Sequence, residues 1–146
     1  MLKNAVVELQ KQHPGFSFLI FDVLRPLSAQ QKLWDHVVGT AQQDYIADPV
    51  KRSIHNFGMA VDLTVIDERG QALDMGTEFD SFQDLAQPQL ESRFLQEGRL
   101  LEIHVKNRLI LRRAMLSAGF LQLPHEWWHY NAESGDDVRA QYSVIL

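Results

Sequence analysis

Asp62 stands inside an apolar, largely β-branched run, Met-Ala-Val-Asp-Leu-Thr-Val-Ile over residues 59–66. A run of that kind reads as a buried strand. Period-two alternation puts Ala60, Asp62 and Thr64 on one face and Met59, Val61, Leu63 and Val65 on the other, apolar face. An unpaired carboxylate in such a place is costly, so the fold must bring Asp62 a partner of opposite charge. A metal ion would supply one. Gly58, just ahead of the run, lets the backbone turn after His55 and enter the strand.

Around that strand the pattern is mixed. An amphipathic helix is expected over 2–12, ended by His13-Pro14-Gly15. A buried strand is expected over 16–23. Ser28 and Gln31 have capping-box spacing and should open a helix through Val38, stopped by Gly39. Residues 40–56 read as a long polar loop of the kind that serves a site. Asp67-Glu68-Arg69-Gly70 is a turn, with a hairpin return over 71–74. Residues 75–87 read as loop. Apolar spacing over 99–118 gives one or two helices closed by Gly119. Short strands are expected over 120–123 and 126–130, around Pro124. Strands and helices do not alternate regularly, so the expected class is α+β, an antiparallel sheet packed with helices. At 146 residues and 16.8 kDa, folding would bury roughly 69% of the unfolded chain's surface, enough for a single domain over 1–146.

Composition narrows the chemistry. With no cysteine, disulfides, thiolate metal sites and a cysteine nucleophile are excluded, and any metal must sit on His, Asp or Glu. The net charge of −5 argues against a nucleic-acid partner. The apolar runs are too short to cross a bilayer. Residues 1–12 have no signal-peptide core, so the expected location is cytoplasmic, or periplasmic if an export segment has been removed.

Two segments concentrate the chemistry: Ser53-Ile54-His55-Asn56-Phe57-Gly58-Met59-Ala60-Val61-Asp62 and Glu126-Trp127-Trp128-His129. Together they offer two imidazoles, one carboxylate ligand and one spare carboxylate. That is the inventory of a catalytic zinc site, in which three protein ligands leave a position for water and a nearby carboxylate takes the water's proton. Taken alone, an Asp after a Gly is a turn or cap residue, and a His beside tryptophans is a packed, hydrogen-bonded one. On a regular strand, moreover, Glu126 and His129 would point to opposite faces, so the backbone must twist or bulge there. His13, His36, His104 and His125 read as structural or surface residues.

These segments resemble the VanX-like D-alanyl-D-alanine dipeptidases, a zinc D,D-peptidase family. The pattern Ser-x-His-x-x-Gly-x-Ala-x-Asp-Leu-Thr runs from Ser53 to Thr64, and Glu-Trp-Trp-His follows at 126–129. Asp22-Val23-Leu24-Arg25-Pro26 matches the family's Arg-Pro element. Leu73-Asp74-Met75-Gly76-Thr77 with Phe79-Asp80, then Asn107-Arg108, Met115 and Gly119-Phe120, match further signatures in order.

The resemblance implies one Zn2+ per chain on His55, Asp62 and His129, with Glu126 as general base and then proton donor to the leaving amine. It implies that Arg25 hydrogen-bonds the developing oxyanion, that Asp80 accepts the substrate ammonium, and that Ser53 contacts substrate. The alternatives are that Arg25 forms a structural ion pair with Asp22 and that Asp80 is a loop cap. The implied reaction is hydrolysis of the free dipeptide D-Ala-D-Ala, with that small peptide as substrate and no nucleic-acid or membrane partner. A zinc D,D- or L,D-carboxypeptidase acting on peptidoglycan stem peptides is the alternative enzyme, and a non-catalytic zinc or peptide-binding domain the alternative class. The chain departs from the pattern in two places. Family members carry several tens of residues before the first strand where this sequence has fifteen before Phe16, which leads us to expect a weaker preference for dipeptides. Arg52 replaces the Gly that often precedes the motif Ser.

Overall fold

Burial of the apolar face of residues 59–66 decides the architecture. The computed structural model describes residues 1–43 and 46–146. Along the chain the elements are α1 (Leu2–Gln12), β1 (Ser17–Asp22), α2 (Leu27–Val37), β2 (Ala60–Ile66), α3 (Glu91–Gln96), α4 (Glu102–Ser117), β3 (Leu121–Gln122), β4 (His129–Asn131) and α5 (Gly135–Gln141). Single 3-10 turns lie at Ile54–Phe57, Asp84–Ala86 and Pro88–Leu90. The strands form an antiparallel sheet in the order β1-β2-β4-β3, which makes the class α+β. Val61, Leu63 and Val65 point into a core with Ala5 and Leu9 of α1, Leu111, Ala114 and Met115 of α4, and Trp127, Trp128 and Tyr130. Helices thus cover one face of the sheet, and the face bearing Asp62 and Thr64 is left for a site. Among the described residues no helix is long and apolar enough to cross a membrane.

The expected strand over 16–23 forms, but it is not buried. β1 is an edge strand, and Leu19, Ile20 and Phe21 are each about two-fifths exposed. Apolar composition marks a strand without saying which side of it another strand or helix covers. Near its end β1 is irregular: Ile20 pairs with Leu63 and Asp22 with Asp62, so Phe21 is an extra residue. This bulge sets Asp22 opposite Asp62.

Three further expectations are corrected. Ser28 and Gln31 make no capping box. The helix starts one residue earlier, at Leu27, whose N–H donates to the Ile145 carbonyl, so the tail of the chain does the capping. The hairpin return over 71–74 is reduced to one bridge, Ile66 with Ala72. The strand over 126–130 shrinks to His129–Asn131, because Glu126–His129 is a turn closed by the His129 N–H on the Glu126 carbonyl at 3.4 Å. Helices α3 and α5 were not expected. Part of the long loop over 40–56, positions 44 and 45, lies outside the described residues.

Candidate metal centre

Asp62 and His129 are direct partners across the β2–β4 ladder, a pairing that brings their side chains side by side on one face. His55 reaches the same point from the 3-10 turn Ile54–Phe57. Ser53 and Asn56 cap that turn reciprocally, and Gly58 closes it at φ 68°, in the left-handed region that suits glycine. The turn is tied to the Arg-Pro element: the Arg25 N–H donates to the His55 carbonyl, and Asn56 Nδ2 donates to the Arg25 carbonyl. His55, Asp62 and His129 are buried, and their ligand atoms all lie within 4.8 Å of one another.

Which nitrogens face inward follows from the hydrogen bonds. His55 Nδ1 lies 2.9 Å from the Val23 carbonyl, and His129 Nε2 lies 2.8 Å from Asn131 Oδ1. Both partners only accept, so both outer nitrogens carry the proton. In the neutral rings the inner atoms, His55 Nε2 and His129 Nδ1, then turn their lone pairs to the same point, 3.2 Å apart. Asp62 adds Oδ2 at 3.2 Å from His55 Nε2 and Oδ1 at 2.9 Å from His129 Nδ1. Oδ1 makes no well-formed hydrogen bond, although it is buried. Two imidazole nitrogens and a carboxylate converging at this spacing fit a divalent cation, which would displace any proton held between them. An imidazole held by an outer hydrogen bond is also the usual arrangement of a metal-ligating histidine.

The field of the site separates its two carboxylates. Burial pushes the Asp62 carboxyl up, but the two imidazoles against it reverse this and hold it at about 2. Burial drives the Glu126 carboxyl up to about 7, opposed by His129 and reinforced by Asp62 and Asp80. Glu126 Oε2 is 3.6 Å from His129 Nδ1, beside the cluster but outside the set of three. The turn at 126–129 is what lets both side chains face one point, and it removes the conflict that a regular strand would pose.

A cavity of about 620 Å³ opens over the cluster and brings the other expected residues together: Arg25, Ser53, Asp80 and Glu126 line it with His55, Asp62 and His129. Arg25 is also an ion-pair residue. Its Nε and Nη2 donate to Asp22 Oδ2 at 2.8 and 2.6 Å, and its Nη1 to Gln30 Oε1 at 3.0 Å. Of five N–H groups, two have no partner among the described residues. Asp80 is exposed to solvent, and its carboxyl is raised by partial desolvation and by Asp62, against the pull of Arg25. Ser53 has a structural duty as well, since its Oγ accepts from the His55 N–H. Arg52 stands at φ 63°, the left-handed region, which gives a physical reason for the Gly often found there. Asp80 also lines a second groove, of about 1230 Å³, with Phe21, Thr77 and Trp127.

The family described as D-ala-D-ala dipeptidase, Peptidase_M15, matches residues 2–144. The chain belongs to this family. It is 33% identical over 133 residues to a D-alanyl-D-alanine dipeptidase of Escherichia coli (strain K12), covering 88% of this chain and 64% of that protein. It is 30% identical over 173 residues to one of Synechocystis sp. (strain ATCC 27184 / PCC 6803 / Kazusa), covering 97% and 69%. A third, from Enterococcus faecalis (strain ATCC 700802 / V583), is 27% identical over 135 residues, covering 80% and 62%. The chain therefore spans 62% to 69% of the length of these curated relatives.

Three contributors to this Peptidase_M15 site escaped the sequence reading. Asn131 orients His129, and its position two residues along a strand, on the same face, was a usable signal. Gln30 is fully buried and bonds both Arg25 and the Ala47 carbonyl, a role that nothing in its spacing announces. The Val23 carbonyl that orients His55 belongs to the main chain and leaves no mark in the sequence.

Proposed function

We propose that this chain is a zinc-dependent hydrolase of D-alanyl-D-alanine, acting as one domain over 1–146. The observation that carries the reading is the convergence of His55 Nε2, Asp62 and His129 Nδ1, faced by a fourth group, Glu126, that lies outside the set of three. When bound there, zinc supplies a Lewis acid that acidifies water and polarises a carbonyl. Glu126, its carboxyl raised to about 7, takes the proton of the attacking water and returns it to the leaving amine nitrogen. Arg25, held in place by Asp22 and Gln30, turns its two remaining N–H groups to the carbonyl oxygen as negative charge gathers on it. Asp80 receives the substrate ammonium at the other end of the cavity, and Ser53 lines the wall beside His55.

The second groove lined by Asp80 favours a second reading, a carboxypeptidase that takes longer stem peptides, because it gives upstream residues room. One experiment separates the two. Protein stripped with a chelator and reloaded with zinc is given D-Ala-D-Ala, N-acetyl-D-Ala-D-Ala and a stem pentapeptide, and D-alanine release is followed. We expect no release without metal and the highest kcat/KM for the free dipeptide. Equal cleavage of the N-acetylated substrate would replace the dipeptidase reading with the carboxypeptidase one.

A further inference from the structure

The segment that carries Asp80 has little regular structure of its own. Between β2 and α3 there are two single 3-10 turns, Asp84–Ala86 and Pro88–Leu90. Asp80 itself stands at φ 61°, a left-handed conformation that a non-glycine residue keeps only when its surroundings hold it there. The base of the segment is seated tightly on α4. A Cβ on Gly76, which has φ 81°, would come within 2.6 Å of Leu100 Cδ2 and 2.7 Å of His104 Nδ1.

A buried arginine closes that base. Arg108, on α4, is 1% exposed. Its Nε donates to the Met75 carbonyl at 2.7 Å and its Nη2 to the Leu85 carbonyl at 3.0 Å. These carbonyls flank segment 76–84, so one guanidinium joins the two ends of the loop that holds Asp80. Its neighbour Asn107 adds a bond from Nδ2 to the Asp74 carbonyl at 2.7 Å. On the far side Trp127 Nε1 donates to Thr77 Oγ1, and Phe79 stacks on Phe21.

Packing alone does not account for an arginine here. Its carboxylate neighbour, Glu91, is 3.4 Å from Nη1 and gives both oxygens to Arg112, at 2.7 and 2.8 Å. An apolar side chain of similar volume would fill a buried site at lower cost than a charge. What arginine alone brings is a rigid fork of directed donors, and its best-made bonds go to the two carbonyls flanking the loop. None of its hydrogen-bond partners is His55, Asp62, His129 or Glu126.

We propose that Arg108 is a positioning residue for Asp80: by closing the base of segment 76–84 it sets where the Asp80 carboxylate stands in the cavity, and so how well a free substrate amine is recognised. This rests on the reading of Asp80 as the ammonium acceptor. Arg108→Lys keeps the charge and removes the fork. In the zinc-loaded variant, KM for D-Ala-D-Ala should rise about 10- to 100-fold, the scale of a small misplacement of a binding group. Its kcat, its zinc content and its kinetics on N-acetyl-D-Ala-D-Ala should hardly move. Amide exchange should quicken across 76–84 and not in β2. In the Asp80→Ala background, Arg108→Lys should add nothing to KM, because its effect travels through Asp80.

Additive losses in the double variant, or equal losses on both substrates with a lowered Tm, would make Arg108 a core residue only and overturn the proposal. If Asp80→Ala alone leaves the preference for the free amine intact, the ammonium reading is what fails. Exchange across 76–84 then still judges the clasp, and unchanged exchange in Arg108→Lys overturns it. Should Arg108→Lys fail to fold, Asn107→Ala loosens the same base. It should raise KM and exchange in the same direction, and no change in either would also overturn the proposal.

Discussion

Asp62 and His129 face each other across two hydrogen-bonded strands, whereas Arg25 and Asp80 stand on connecting segments at the rim of the same cavity. The first pair is oriented by the sheet, with the outer bond from His129 to Asn131 helping to fix the imidazole. The second pair depends on side chains for its placing: Asp22 and Gln30 for Arg25, and the Arg108 clasp for Asp80. The contrast suits the two tasks. A metal centre tolerates little error in ligand position. A recognition end supported by replaceable side-chain bonds can change its preference while the ligand cluster stays intact.

The most damaging way to break this contrast is Glu126→Gln. Glu126 sits beside the cluster without belonging to it, so zinc content should persist while kcat falls about 10²–10⁴-fold, the usual worth of a general base. Zinc analysis and steady-state kinetics on one preparation check both halves. Next comes Arg25→Lys. A lysine ammonium cannot reproduce the fork that holds Asp22 and Gln30 while still aiming at the oxyanion. The barrier should rise by about 2.7–4 kcal/mol, and Arg25→Ala should be little worse. A raised KM with kcat unchanged would instead mark Arg25 as a binding group for a substrate carboxylate. The gentlest test sharpens the sheet end. Asn131→Ala frees the outer nitrogen of His129 and should weaken zinc affinity about 10–100-fold in competition with a chelator, with the sheet unchanged by circular dichroism. Undiminished affinity would show that the strand pairing alone orients the imidazole.

How much of this was legible in the sequence follows the same division. The clustering of His55, Asp62 and His129 was readable because each lies in a short segment whose residue types could hold a metal. The α+β class and the span of α1 were readable from periodicity. Glu126 and His129 looked opposed because alternation assumes a strand, and the backbone there is a turn. The exposure of β1 was missed because an apolar run reports burial potential and not the neighbours that realise it. Helix α5 had a sign that went unread, Ser134 three residues before Asp137, and the structure uses it as an N-cap. Arg108 was noticed only as part of a signature, since nothing in a linear sequence distinguishes a buried guanidinium from a solvated one.

The strand order also bears on when the centre comes into being. His55 and Asp62 are close neighbours in the chain, but His129 rides on β4, which lies between β2 and β3 and comes 67 residues after Asp62. Pairings between such distant residues must bear a large loop-closure entropy and form slowly. During synthesis the N-terminal portion emerges first. A nascent chain that has released β2 therefore holds His55 and Asp62 without His129 and Glu126, and the cluster stays incomplete until residues 126–129 have emerged and the ladder to β2 has zipped. Assembly of this cluster is a late event in folding, gated by the arrival of a three-residue strand.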